Sequence, residues 1–320
     1  MNSRVLVQRR WAPGERRTVD ERSSVRDERS SHDLAGHVNG RYYRRVVLGD
    51  VSESSSASLS DPLSRIAELP GVSDAVDETR TLVDRLRDHR ILRRRSNDVS
   101  LESSLRGACA SAALEGAEVS MDEIREGHVY DTRIKGALRI GGELGGMVDT
   151  WPKAPRQTLA RLHTLAAADA VSEEALGRPR LEGERVEDPL DLGPAPSSSV
   201  ASARLEGLYR LLESRTKVPA LVTSSLVHGE LMAIRPFGWG DGLVARAAER
   251  LTLIERGLDP KSLVASELGH QTLKDEYGPA LRGYMEGTPE GVGGWIVYCC
   301  RAVFTGAQDS LATCEALKRG

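Results

Sequence analysis

Two runs of apolar positions set the organisation of the chain. Leu221, Val222, Leu226, Leu231 and Ile234 recur at three- to five-residue spacing after Pro219. Val244, Ala247, Ala248, Leu251 and Ile254 repeat the pattern before Gly257. Such spacing predicts two helices, each with a buried face. Proline suits a first helical turn, whose N–H groups lack intrahelical partners. Pro236 ends the first helix by removing a donor and restricting Arg235, and Gly257 ends the second. Between them runs Arg235-Pro236-Phe237-Gly238-Trp239-Gly240-Asp241-Gly242. Its glycines allow a sharp turn and close backbone approach to a ligand. Asp241 is expected to N-cap the second helix.

The same period continues on both sides. Asp61-Pro62 reads as a cap and first-turn proline. Ser73 to Leu92 predicts one amphipathic helix on Val76, Val83, Leu86 and Leu92, with Arg93-Arg94-Arg95 at its C-terminal end, where cations suit the dipole. A second helix is expected from Ser100 through the small residues Gly107, Ala108, Ala110, Ser111, Ala112 and Ala113. In GALRIGGELGG, glycines four residues apart (Gly141/Gly145, Gly142/Gly146) predict close helix packing. Helices follow at Arg156–Asp169, Ser197–Ser214, from Asp259-Pro260 to Leu273, and at Val292–Leu317. The irregular segment between residues 177 and 199 holds LEGERV, which reads as a short hairpin or as a plain surface loop. Strands are otherwise absent, so the fold class is mainly α, a helical bundle around the central pair.

Composition narrows the function classes. The 320 residues are 39% hydrophobic with a net charge of −3, which fits one or two globular domains with a sizeable core. No large cationic face for nucleic acid is implied, and 4% aromatic residues give no base-stacking surface. Residues 1–58 are rich in Arg, Ser, Asp and Glu and bury too little apolar surface to offset ordering entropy. They read as a disordered or weakly ordered arm. Residues 59–150 read as an N-terminal helical region, and 151–320 as the core with its C-terminal helices. Cys109, Cys299, Cys300 and Cys314 fit neither a metal site nor a disulfide framework, so free thiols in a reducing compartment are expected. With no signal peptide and no apolar run of 18 residues, a soluble cytoplasmic protein without membrane contact is expected. His228-Gly229-Glu230 lies on one helix with no second ligand adjacent in sequence, so no metal-ligand set is assigned.

The central turn carries the candidate chemistry. A glycine-rich turn opening a helix cradles anions, because unpaired N–H groups point outward and the dipole favours negative charge. Gly240, Gly242 and Arg246 are the candidate phosphate-binding residues, the arginine by a bidentate contact. The segment resembles the signature of the Fic (Fido) family, His-Pro-Phe-x-Asp/Glu-Gly-Asn-Gly-Arg-x-x-Arg. Pro236, Phe237, Gly240, Gly242 and Arg246 match it, and His228 matches a histidine often found two turns upstream. Further back, Ser111-Ala112-Ala113-Leu114-Glu115-Gly116 resembles the family's inhibitory helix motif, Ser/Thr-x-x-x-Glu-Gly/Asn. The resemblance implies a Fic-type helical bundle with a short β-hairpin flap, for which Arg178 to Val186 is the candidate. It implies AMP transfer from ATP to a protein hydroxyl with a divalent metal. It also implies a pairing of Glu115 with Arg246 that blocks the ATP γ-phosphate. His163 corresponds to a Leu-His element at the start of the family core, and also reads as a half-buried helical histidine.

The departures fall on working positions. Arg235 stands in place of the histidine general base, and a guanidinium gives up no proton near neutral pH. Trp239 stands where a carboxylate would hold the metal, and indole is no ligand for a hard cation. Asp241 replaces asparagine and Leu243 replaces a phosphate-binding arginine. Two readings follow. In one the chain is a pseudoenzyme, a scaffold that binds ATP, another anion or a target protein without turnover, with Mg2+ unsupported. In the other it is a nucleotidyltransferase of altered chemistry in which Asp241 supplies the base or the metal site.

Overall fold

The computed structural model describes residues 63–319 except positions 119 and 215. The arm at 1–58 and the Asp61-Pro62 cap lie outside the described residues. The chain forms helices α1 (Ser64–Ala67), α2 (Val72–Arg87), α3 (Leu92–Leu114), α4 (Met121–Arg125), α5 (Thr132–Glu143), α6 (Pro155–Ala167), α7 (Ser198–Glu213), α8 (Ala220–Ile234), α9 (Asp241–Glu255), α10 (Ser266–Thr272), α11 (Lys274–Glu286) and α12 (Pro289–Arg319).

The two central helices are enclosed on all sides. Every residue from Leu221 to Ile234 of α8 is buried, and so is every residue from Asp241 to Ile254 of α9. A helix with no solvated face belongs to the interior. The polar residues along it then need internal partners. The shell is built from α12, which packs on α2, α10 and α11, and from α3, α5 and α6 in succession.

Several boundaries differ from those expected. The helix read as Ser73–Leu92 stops at Arg87, and a new one begins at Leu92. Arg93-Arg94-Arg95 therefore opens α3 instead of closing α2, with a kink at Arg95 (φ −125°, ψ 27°). Ser100 lies inside α3, where its hydroxyl donates to the Lys261 carbonyl at 2.6 Å. Asp259-Pro260 does not restart a helix. Asp259 accepts the Val264 N–H at 2.8 Å, which holds the chain irregular until α10 begins at Ser266. Of the glycines read as packing pairs, only Gly141 abuts a neighbour, Ser104, while Gly142, Gly145 and Gly146 face open space. The four cysteines are free thiols, three of them buried in α12. Among the described residues no helix is long and apolar enough to cross a membrane.

α5 approaches α6 closely at Gly136, where an added Cβ would overlap the Ala166 carbonyl. Backbone cannot move aside as a flexible side chain can. Gly136→Ala is expected to destabilise the protein by about 1–3 kcal/mol, despite alanine's better helix propensity. Urea denaturation would show this as a lower midpoint with an unchanged m-value.

Candidate functional site

The C-terminal end of α3 meets the first turns of α9. Glu115 ends α3 in a C-terminal motif, where Ala117 N–H donates to Ala112 O and Gly116 N–H to Ala113 O, both at 3.0 Å. This bond pattern is a Schellman cap, and it requires the left-handed backbone found at Gly116 (φ 88°). The same residues thus satisfy the plain helix-end reading and place the carboxylate. Glu115 Oε1 accepts from Arg246 Nη2 at 2.6 Å. Arg246 Nε donates to Ser111 Oγ at 2.9 Å, Nη2 to Ser111 O at 3.0 Å, and Nη1 to Tyr277 Oη at 3.4 Å. The guanidinium is fully buried, and Glu115 is nearly so.

The carboxylate lies against the glycine-rich turn itself. A Cβ on Gly242 would overlap Glu115 Oε1. Glu115 therefore lies over the first turn of α9, where a helix N-terminus attracts an anion. Gly240, in the left-handed region (φ 67°), is the N-cap of α9.

Asp241 does not cap that helix as predicted. With Gly240 as the cap, Asp241 is already helical and its carboxylate turns back on the preceding loop. Oδ1 accepts from Phe237 N–H at 2.9 Å and Oδ2 from Gly238 N–H at 2.8 Å. Burial pushes this carboxyl up to about 7; the two N–H bonds oppose the shift and Glu115 adds to it. The stability linked to this group follows from that direction. A carboxyl whose folded value exceeds its unfolded one stabilises most where both states are protonated. That contribution is full below about pH 4 and is lost as the pH rises to about 7. A shift from 3.8 to about 7 corresponds to on the order of 4 kcal/mol. The melting temperature of the wild type is therefore expected to fall between pH 5 and pH 8 by more than that of Asp241→Asn. Equal pH dependence in the two proteins would contradict the assignment.

Arg235 is locked rather than poised. It adopts a left-handed backbone (φ 43°) at the end of α8 and is buried. Nη2 donates to Gly193 O at 2.7 Å and Nη1 lies 3.3 Å from Asp188 Oδ1. Asp188 in turn accepts from the Leu192 and Gly193 N–H groups at 2.9 Å. The guanidinium thus clamps the 188–193 loop over the turn. Sequence reading missed Asp188 and Gly193; Asp188-Pro189 resembles an Asx turn, but nothing local links it to Arg235.

The flap candidate is not a hairpin. Among the described residues it contains no strand. Arg180 N–H donates to Pro236 O at 2.7 Å and Glu187 N–H to Gly238 O at 2.8 Å. The Arg180 guanidinium is also drawn inward, donating to Arg235 O at 2.9 Å and to the Pro196 carbonyl. The motif turn supplies the partners that a second strand would have offered, so the segment lies along it singly.

The other sequence-derived residues divide. Phe237 stacks on His163, centroids 4.2 Å apart and planes within 7°. His163 is buried, not half-buried; it accepts the Gly177 N–H at 2.9 Å, and burial lowers its pKa to about 4. Trp239 lies under Arg133, 5.9 Å from the guanidinium carbon. His228 is joined to Arg246 through the Tyr277 hydroxyl, 2.6 Å from His228 Nε2 and 3.4 Å from Arg246 Nη1. Leu243 is buried and lines a separate apolar cavity of about 550 Å3 between α3, α5 and α9. The space enclosed by Glu115, Asp188, Met232, Arg235, Gly240 and Asp241 amounts to about 10 Å3, room for at most one water.

Solved structures share this architecture. A Fic family protein from Desulfovibrio desulfuricans superposes with a TM-score of 0.60 at 19% identity, over 75% of this chain and 74% of that one. A fragment of Fic-1 from C. elegans does so at 0.58 and 16% identity, over 90% and 86%. A Fic domain containing signaling protein from Bacteroides thetaiotaomicron gives 0.50 at 14% identity, over 76% and 98%. At these identities the likeness is one of fold. The sequence matches no protein-family model and no curated protein.

Proposed function

We propose that this chain, which has the fold of the Fic proteins, is a pseudoenzyme. In this reading Glu115 serves as the internal anion of a nucleotide cradle that no longer supports AMP transfer. The observation that carries this is the closure of the turn. Arg235, in the position of a general base, is tied to Asp188 and Gly193, and about 10 Å3 remains beside Glu115. The acidic groups Glu115, Glu187, Asp188 and Asp241 all line that space, which disfavours a triphosphate. With Trp239 against Arg133, no carboxylate stands where the family resemblance would place a metal ligand. Ser111, Glu115 and Gly116 then hold the scaffold together rather than gate turnover, and a target protein would bind without being modified.

A second reading is kept by Asp241. A carboxyl pushed up to about 7 exchanges its proton near neutral pH, as a general base must. The two readings separate in one experiment. Wild-type protein titrated with ATP, with and without Mg2+, is expected to bind weakly or not at all, independently of the metal, and to release no pyrophosphate. Metal-dependent pyrophosphate release would overturn the pseudoenzyme reading and support Asp241 as the base.

A further inference from the structure

A polar cluster at the centre of the bundle takes no part in the cradle. His228 of α8, Glu249 of α9 and His270 of α10 converge there, all fully buried. Glu249 Oε2 lies 3.2 Å from His228 Nδ1 and 2.8 Å from His270 Nε2. One ligand-capable atom from each of the three lies within 4.8 Å of the others. The remaining ring nitrogens are held from outside, His228 Nε2 at 2.6 Å from Tyr277 Oη and His270 Nδ1 at 3.1 Å from Tyr298 Oη. Trp295, Tyr277 and Tyr298 stack beside them.

As a hydrogen-bonded network the cluster is incomplete. Glu249 Oε1 has no hydrogen-bond partner, and His228 Nδ1 has none beyond its 3.2 Å approach to Oε2. Buried polar atoms left unpaired are costly and rare. Here two of them belong to adjacent residues of one cluster. Both residues carry metal-ligating groups, and the third member of the cluster is an imidazole.

We propose that His228, Glu249 and His270 bind one zinc ion, taken up as the chain folds. Two imidazoles and a carboxylate suit zinc, whereas magnesium and calcium require six or more oxygens. With metal–ligand distances of about 2.0–2.2 Å, ligand atoms of a tetrahedral site lie roughly 3.3 Å apart. The spacings of 3.2 and 2.8 Å to Glu249 Oε2 are near that, and the two imidazoles, within 4.8 Å of one another, close in on the ion. Glu249 can supply both oxygens, which gives the ion four donors and uses Oε1. The tyrosine hydroxyls would fix the ring orientations, as outer partners of metal-bound histidines do. None of the three side chains touches solvent, so the ion enters during folding rather than afterwards. The site shares the Tyr277 hydroxyl with Arg246 but does not rest on the pseudoenzyme reading.

The test uses the whole chain without an affinity tag. It is unfolded with EDTA, refolded with or without zinc, passed through gel filtration and analysed for metal. About one zinc per chain is expected after refolding with zinc, resistant to EDTA while the protein stays folded and accompanied by a higher melting temperature. Refolding with cobalt(II) is expected to give the visible absorption of a four-coordinate ion. His270→Gln, which keeps a polar side chain in place, is expected to lose the ion. Wild type that refolds equally well and holds well under a tenth of a zinc per chain would overturn the proposal. So would full retention of zinc by His270→Gln, which would place the ion elsewhere.

Discussion

Glu115→Ala is expected to lower stability by about 3–5 kcal/mol and to leave ATP-dependent protein labelling at background. The loss follows from what remains. Arg246 keeps Ser111 Oγ, Ser111 O and Tyr277 Oη, all of them neutral partners. A fully buried cation would then lack its carboxylate, and stranding one member of a buried pair costs far more than the intact pair contributes. In a domain of this size such a change lowers the melting temperature by roughly 10 °C. Glu115→Gln keeps an acceptor for Nη2 and should lose less. Thermal unfolding of the wild type and both variants, run beside labelling with ATP and Mg2+, reads both effects. An unchanged melting temperature with labelling above background would mean that Glu115 restrains an enzyme, and would sink the structural role given to it here.

This pair was the most legible part of the site. The six-residue run ending at Gly116 and the glycine-rich turn before Arg246 each carry a local constraint, a helix end and a sharp turn, and local constraints show in a sequence. Pro219, Pro236 and Gly257 marked the ends of α8 and α9 for the same reason. What escaped is what long-range contacts decide. Asp241 has the residue type of an N-cap, but Gly240 takes that place, and the carboxylate bonds backwards to Phe237 and Gly238. Arg178 to Val186 has the turn residues of a hairpin, yet Arg180 N–H bonds to Pro236 O, and the residue after the segment, Glu187, bonds to Gly238 O, rather than to a second strand. Arg93-Arg94-Arg95 reads as the end of the preceding helix because hydrophobic spacing runs on across the break after Arg87. His228 lacked a second ligand in its own helix; Glu249 and His270 come from α9 and α10, and only the packing of three helices brings them together.

Introducing the residues of the Fic signature together, by Arg235→His, Trp239→Asp, Asp241→Asn and Leu243→Arg, is expected to give no labelling while Glu115 remains. Adding Glu115→Gly is expected to raise it about a hundredfold or more above wild type, the contribution of a positioned general base. Each change has a physical consequence at the site. Arg235→His frees the 188–193 loop and provides a group that can take a proton. Trp239→Asp returns an oxygen ligand for a hard cation. Asp241→Asn removes a charge that repels phosphate, although its NH2 group must then face one of the two N–H donors that the carboxylate satisfied. Leu243→Arg costs most, since Leu243 is buried beside an apolar cavity, and the new guanidinium must reach towards the turn to be compensated. Glu115 lies over Gly242, so these gains are expected only once it leaves. Incorporation of labelled AMP into protein, compared across the wild type, the four-residue variant and the five-residue variant, decides the matter. Circular dichroism must show all three folded. A folded five-residue variant without labelling would mean that more than these five positions separates this chain from an AMP transferase. Labelling by the four-residue variant would mean that the bond between Glu115 and Arg246 does not close the cradle.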